Sequence, residues 1–193
     1  VRVLIGCEFS GTVRRAFRAL GHDAWSCDVL EAEDGSEHHI QGDVFGVLDR
    51  GWDLGIFHPP CTRLTVAGAR WFKGKEQEQA EAIAFVERLW ACGIPRICIE
   101  NPIGVLSTRS TLGKPTQIVQ PWQFGHGETK ATCLWLKGLP LLQPTDIVSG
   151  REARVHKMPP SQNRWKERSR TFVGIAAAMA QQWGGSYELE LTA

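Results

Sequence analysis

Val1-Arg2-Val3-Leu4-Ile5-Gly6-Cys7-Glu8-Phe9-Ser10-Gly11 decides the class of fold. Residues 1–5 form an apolar run of strand length, and Gly6 to Gly11 reads as a turn of mostly small residues. Val13, Ala16, Phe17 and Leu20 then recur at helical spacing between Gly11 and Leu20, where Gly21 stops the helix. Further out, Ala24 to Cys27 reads as a second short strand. Asp53 to Phe57 is a third, ended by Pro59-Pro60. Glu76 to Cys92 predicts an amphipathic helix with Ala80, Ile83, Val86, Leu89 and Trp90 on one side, closed by Gly93 and Pro95. Arg96 to Ile99 is a fourth strand, ended by Glu100-Asn101-Pro102. This alternation predicts an α/β fold, Rossmann-like, with a mostly parallel sheet and helices on both faces. The second half is less regular. Ala131 to Leu136 reads as a strand, Lys137-Gly138-Leu139-Pro140 as a turn, and Gly174 to Trp183 as a terminal helix.

The 193 residues suit one domain spanning 1–193. Net charge is only +1, from 22 basic and 21 acidic residues, so the global balance selects no partner. Arg151 to Arg170 differs. Seven basic and two acidic residues give it +5, against −4 for the rest, which points to a polyanionic partner or to a solvated basic loop. No run approaches the roughly 20 apolar residues of a membrane span. The apolar opening is too short for a signal peptide and carries Arg2, so a cytoplasmic protein is expected. The six cysteines contain no Cys-x-x-Cys pair, so a zinc site is not expected; five read as buried, reduced thiols.

In a doubly wound sheet, ligands gather at the carboxyl ends of the strands. Three segments fall there. The turn from Gly6 to Gly11 would let backbone approach a ligand, and the helix N-terminus after it favours a carboxylate. Asp28 would accept hydrogen bonds from ribose hydroxyls, and Asp43 from an adenine amine. Both acids are also ordinary cap or turn residues. The turn is no Gly-x-Gly-x-x-Gly fingerprint; the order of strand, glycine turn, helix, strand and acid says more than any one residue.

His58-Pro59-Pro60-Cys61 directly follows a strand. Two prolines stiffen the backbone and remove two N–H groups, so the loop can hold one thiol over a substrate. Glu100 ends the next predicted strand, and adjacent parallel strands would bring it near Cys61. Cysteine, acid and a methyl donor suit one reaction. A thiolate adds to C6 of cytosine, an acid at N3 stabilises the developing charge, and C5 then attacks a methyl sulfonium. Taken alone, Cys61 is also a small buried hydrophobe, Glu100 a strand-end cap, and His58 a hydrogen-bond partner behind the site.

These residues resemble the cytosine-C5 DNA methyltransferase family, in a short form similar to phage and prophage proteins. Arg2 to Gly11, then Ala16-Phe17 and Gly21-His22, is similar to the family's first motif and following helix. Pro59-Pro60-Cys61 matches its catalytic tripeptide, and Glu100-Asn101 its acid motif, with Pro102 replacing the usual Val. The resemblance covers the first hundred residues. It implies S-adenosylmethionine as cofactor, held by Cys7, Glu8, Phe9, Ser10, Gly11, Asp28, Asp43 and Pro59. It implies Cys61, Glu100 and Lys130 as catalytic residues. DNA with its cytosine flipped out would meet Pro60, Asn101, Arg164, Lys166 and Arg168. His58 departs from the family, which usually has Gly there. Glu128 to Thr132 holds only Lys130 where two arginines are usual, and Arg168-Ser169-Arg170-Thr171 replaces the closing Gly-Asn-Ser. A short basic insertion, 137–170, stands in place of the large target-recognition domain. Weak specificity, or a protein partner or dimer supplying it, follows from that. Trp122, Trp135 and Trp165 would stack on a base or pack in the core. Amino-methyltransferases need a polar residue and an aromatic where His58 and Cys61 stand. Nucleobase deaminases need a second cysteine after Cys61. A free nucleotide such as dCMP as substrate, and an inactive binding module, remain alternatives.

Overall fold

A computed structural model describes residues 1–66 and 73–185. Its strands are β1 (Arg2–Gly6), β2 (Asp23–Asp28), β3 (His39–Gln41), β4 (Leu54–Phe57), β5 (Arg96–Pro102), β6 (Gln117–Val119) and β7 (Thr132–Lys137). They form one sheet in the order β3-β2-β1-β4-β5-β7-β6. The first five strands in sequence are parallel where they pair, with Phe57 opposite Ile99 and Gly6 opposite Phe57. β7 runs antiparallel to both β5 and β6. The helices are α1 (Thr12–Ala19), α2 (Glu76–Trp90), α3 (Leu106–Arg109), α4 (Arg154–Lys157), α5 (Arg164–Ser169) and α6 (Val173–Trp183).

Successive strand residues point to opposite faces. Val3, Ile5, Leu54, Ile56 and Cys98 pack with Val13 and Phe17 of α1 and with Ile175, Met179 and Trp183 of α6. Leu4, Phe57, Ile97 and Ile99 point the other way, onto Val86 and Leu89 of α2 and Leu106 of α3. Both faces are covered, which is why these strands read as continuous apolar runs rather than alternating ones. The protein is an α/β fold of the Rossmann-like kind, with helices on both faces of a mostly parallel sheet.

Two strands escape the sequence reading. β3 and β6 have three residues each, too few for a period to register. The α2 face also needs correction. Ala80 is exposed and Gln79 buried, because Gln79 donates to the Arg63 carbonyl at 2.9 Å and accepts from Arg109. Of the cysteines, Cys27, Cys98 and Cys133 are buried, while Cys7, Cys61 and Cys92 are half-buried. Among the described residues, no helix is long and apolar enough to cross a membrane.

α1 carries an ion pair that fastens the β2–β3 connection. Arg14 is almost fully buried; it donates to Ser26 Oγ at 2.7 Å and pairs with Asp34, which also meets Arg15 at 2.9 Å. Burial opposes the Asp34 charge, but the Arg14 and Arg15 hydrogen bonds win and hold its carboxyl at about 2. The sign follows: the stabilisation is complete above the ordinary value of 3.8 and is lost as pH falls towards 2. Asp34→Asn should therefore cost about 3 kcal/mol near neutrality, by leaving a buried guanidinium without its carboxylate. Its stability should also fall less steeply than wild type between pH 4 and 2, measured by urea unfolding.

Candidate active site

The carboxyl ends of β1, β2, β4 and β5 converge on one rim. After β1, Cys7 takes a left-handed φ of 59°, and its N–H donates to the Cys27 carbonyl of β2 at 2.7 Å. Glu8 then turns inward and caps α1. Its carboxylate accepts from the Val13 amide at 2.6 Å and the Arg14 amide at 3.3 Å. This corrects one expectation. The N-terminus of α1 already holds a carboxylate from its own chain, so a ligand carboxylate has no free helix end there. Burial outweighs His58 and both amides and raises the Glu8 carboxyl above 4.5.

The glycine reading also changes. Gly6 is small because the Phe57 ring and Val44 fill the space a Cβ would take. Gly11 needs its φ of +66° and leaves room for the Arg14 guanidinium. Both spaces are filled by side chains of the chain itself. Ser10 Oγ lies 3.2 Å from Thr12 Oγ1 and accepts from the Thr12 amide at 3.4 Å. Asp28 ends β2 and Asp43 precedes a 3-10 turn. Each accepts a backbone N–H at 3.0 Å, from Leu30 and Phe45 respectively, so the cap and turn readings hold for both. Burial raises the Asp28 carboxyl.

At the end of β4, Asn101 fixes the proline loop. Its side-chain amide is 1% exposed and donates to the Pro59 carbonyl at 3.0 Å. The sequence reading gives Asn101 to substrate; in the structure its Nδ2 is engaged by the loop, while its buried Oδ1 has no hydrogen-bond partner. Leu64 and Thr65 amides close the Pro60-Cys61 segment onto the Cys61 carbonyl at 2.9 and 3.0 Å. Gly104, after β5, presses on Leu64 so closely that a Cβ would overlap the Leu64 carbonyl. Nothing in the sequence marks Gly104, because the approach is between segments forty residues apart.

His58 lies 2.9 Å from Glu100, Nδ1 to Oε2. An ionised carboxylate only accepts, so Nδ1 carries the proton. Burial alone would lower the His58 value and raise that of Glu100. The hydrogen bond and mutual charge reverse both: His58 is held above 6.5 and Glu100 below 4.5, with Glu8 helping on His58 and Lys130 on Glu100. Cys61 is within reach of the same charges. Burial, then Glu100, raises its thiol above 9.0, while Lys130 and Arg168 pull it down. The structure thus pairs His58 with Glu100 and sets Cys61 and Lys130 within electrostatic range of that pair.

Lys130 reaches the site from the segment before β7. Its Nζ donates to the Arg168 carbonyl at 2.9 Å and the Arg170 carbonyl at 3.4 Å. It thereby clasps the basic stretch. That stretch lies against the turn after β1 and the β2–β3 connection: Trp165 is 5.7 Å from Phe9 between ring centroids, Lys166 is 5.9 Å from the Phe9 ring, and Arg170 meets Glu33 at 2.7 Å. Arg164 is half-buried there, with Nε unpartnered. Trp135 is core and Trp122 is half-buried beneath Arg151. Trp165 is 51% exposed. Cys7, Glu8, Phe9, Ser10 and His58 enclose a small cavity of about 50 Å³ with Ser169, Arg170 and Thr171. The sequence reading names the last three only as part of the segment that replaces the closing Gly-Asn-Ser and gives them no site role.

No family model matches the chain, and no curated protein matches it. Among solved structures it is similar to an E. coli protein encoded within a prophage and assigned as a DNA modification methyltransferase. Identity is 16% and the TM-score 0.48, over 77% of this chain and 52% of that one. The chain thus spans about half the length of that protein.

Proposed function

We propose that the protein transfers a methyl group from S-adenosylmethionine to C5 of a cytosine in DNA, through a covalent Cys61–C6 adduct. The observation that carries this reading is the placement of the Cys61 loop and Glu100 just past the last paired residues of the adjacent parallel strands β4 and β5, with the Lys130 charge in range of both. The thiol is the nucleophile. Lys130 and Arg168 favour its ionised form against burial. Pro59-Pro60, clamped by Asn101, holds it in place. Glu100 serves N3 of the ring.

The residues at the rim suit the cofactor's chemistry. Carboxylates accept where a ribose diol and an adenine amine donate, and Asp28 and Asp43 offer them at the ends of adjacent strands. The enclosed cavity at Cys7–Ser10 and Pro59's neighbour His58 admits only a small part of such a molecule. The remainder would lie along the open rim, and Phe9 would be uncovered by movement of the Trp165–Thr171 segment. When bound, the cofactor supplies an electrophilic methyl group.

Methylation of a free cytosine nucleotide is favoured by one observation. The basic stretch folds against the site, through Arg170 on Glu33 and Trp165 near Phe9, instead of standing clear as a duplex-reading unit. One assay separates the readings: duplex DNA, single-stranded DNA, RNA and dCMP, each with S-adenosylmethionine and with the product base identified by mass. Methylated cytosine from DNA supports the proposal. Product from dCMP alone replaces it with the nucleotide reading. No methylated cytosine from any substrate overturns both.

A salt dependence accompanies the DNA reading. If Arg164, Lys166 and Arg168 each neutralise a phosphate, their replacement by Gln lowers the slope of log affinity against log salt by about 3. An unchanged slope, measured by fluorescence anisotropy, would assign the stretch to structure.

A further inference from the structure

A second, larger cavity lies beyond β5, where Thr132 opens β7 opposite Pro102. Two glycines build it. Gly127 and Gly150 approach so closely that a Cβ on Gly150 would sit 2.8 Å from the Gly127 Cα. Residues 127–129 can therefore run beside residue 152. The Thr129 amide donates to the Glu152 carbonyl at 2.8 Å, and the Glu152 amide to the Gly127 carbonyl at 3.0 Å. The resulting space of about 430 Å³ is lined by Glu128 and Lys130 from this segment, by Arg154, Val155 and Met158 from α4 and its end, and by Phe172 before α6. That is the size of a small-molecule site, with an apolar lining and a few polar groups. Arg170 and Thr171 line both this cavity and the small one at Cys7, so the two adjoin.

Most of the polar groups are committed. His126 Nε2 accepts from the Gly174 amide at 3.0 Å, and Lys130 Nζ is held by the Arg168 and Arg170 carbonyls. Glu128 is not. It is only 6% exposed, and Arg154 Nε donates to its Oε1 at 3.1 Å. Its Oε2 accepts no hydrogen bond among the described residues. A nearly buried carboxylate with an open oxygen calls for N–H donors from an occupant. Arg154 is mostly exposed and lies 3.7 Å from Glu152 as well; its two terminal nitrogens make no hydrogen bond among the described residues.

Acceptors fixed by burial, beside a guanidinium with donors to spare, match one nucleobase edge. The Watson–Crick edge of guanine presents two adjacent donors, N1–H and the N2 amine, next to the acceptor O6. Adenine and cytosine carry a single donor group on that edge. Val155, Met158 and Phe172 supply apolar surface for the faces of a base. In a duplex this edge is already paired, so it is read only on an unpaired base. We propose that this cavity binds the base of an unpaired guanine nucleotide, with Glu128 accepting from N1 and N2 and Arg154 donating to O6. Glu128 is then a specificity-determining residue, and Lys130 stands between the guanine and the Cys61 loop. A single DNA strand or a free nucleotide can bring the base. The first source rests on the DNA reading above; the guanine chemistry does not.

The test is binding by the full chain, read by fluorescence anisotropy, with no methyl transfer needed. Labelled single strands carry one cytosine flanked by guanine, or by inosine, 7-deazaguanine or adenine in its place. GMP and AMP serve as competitors. Inosine lacks the N2 amine and should bind about 10-fold more weakly than guanine. 7-Deazaguanine keeps the whole edge and should bind as guanine does. Glu128→Gln, checked for folding by thermal unfolding, should erase the difference between guanine and inosine. Wild type that binds guanine and inosine strands equally, with GMP no better than AMP, overturns the proposal and leaves Glu128–Arg154 as a staple between two segments. This comparison changes only the ligand, so it stands even where the variant fails to fold. Weaker binding of 7-deazaguanine also overturns it, because N7 would then be the edge that is read. A folded Glu128→Gln that still prefers guanine removes Glu128 from the site. Preference for GMP without strand binding supports the guanine site and sinks DNA as the source. Guanine preference in a protein that yields no methylated cytosine keeps the site and sinks the methyl-transfer reading instead.

Discussion

Cys61→Ala is expected to yield no methylated cytosine and no trapped adduct, a loss on the order of 10⁵-fold or more, the scale on which removing a covalent nucleophile acts. The reason is chemical. C5 of cytosine is a poor nucleophile until C6 carries a thioether, and no other thiol stands with Cys61 on the proline loop. Cys7, on the turn after β1, cannot replace it. Burial, with the Asp28 charge behind it, drives that thiol far above the ordinary range. The fold should be nearly indifferent. Cys61 is half-buried on a loop, so unfolding free energy should stay within about 1 kcal/mol of wild type. The check is paired: product mass and a denaturing gel with 5-fluorocytosine DNA for chemistry, thermal unfolding for structure. Methylated cytosine from the alanine variant would remove Cys61 from the mechanism.

Glu100→Gln is the second large effect, expected to lower kcat by about 10²–10⁴-fold with little change in affinity for DNA or cofactor. Glutamine keeps the shape and an acceptor for His58 but can neither take nor give a proton at this pH. Its effect on stability should depend on pH in a particular way. Glu100 is held below 4.5, so its contribution is present above 4.5 and fades as pH falls through the depressed value. His58 is held above 6.5, so its contribution is present below 6.5 and fades as pH rises through the elevated value. The pair thus contributes most between those limits. Above them His58 can shed its proton and so avoid leaving a buried charge. The difference in unfolding free energy between wild type and Glu100→Gln, followed by urea titration, should peak near pH 5 to 6. A difference independent of pH would mean that no charged pair exists.

The strands that carry the rim were legible because their composition and their burial are the same fact. Leu54-Gly55-Ile56-Phe57 has no polar residue and lies under helices on both faces. The break at His58-Pro59-Pro60 marked the end of β4; β5, expected to stop at Ile99, runs on through Glu100-Asn101-Pro102 because β7 pairs with it there, and only its parallel pairing with β4 ends at Ile99. What misled was chemistry with two uses. A carboxylate before a helix reads as a ligand contact or as a cap, and Glu8 caps. A glycine after a strand reads as room for a ligand or for a side chain, and Gly6 makes room for Phe57. Such choices depend on which residue arrives from elsewhere in the chain.

By itself, the sequence determined the alternation of strand and helix, the parallel sheet and the adjacency of the Cys61 and Glu100 loops. These follow from local periodicity and from breakers that act within a few residues. Only the tertiary structure decided that His58 holds Glu100, that Asn101 clamps the proline loop, and that Lys130 ties the basic stretch over the Cys7–Gly11 turn. Each is a contact between residues tens of positions apart, such as 42 for His58 and Glu100 and 38 for Lys130 and Arg168. The physical reason is that charge state and side-chain direction are set by burial and by the partner that burial brings, and neither is encoded in the neighbouring residues.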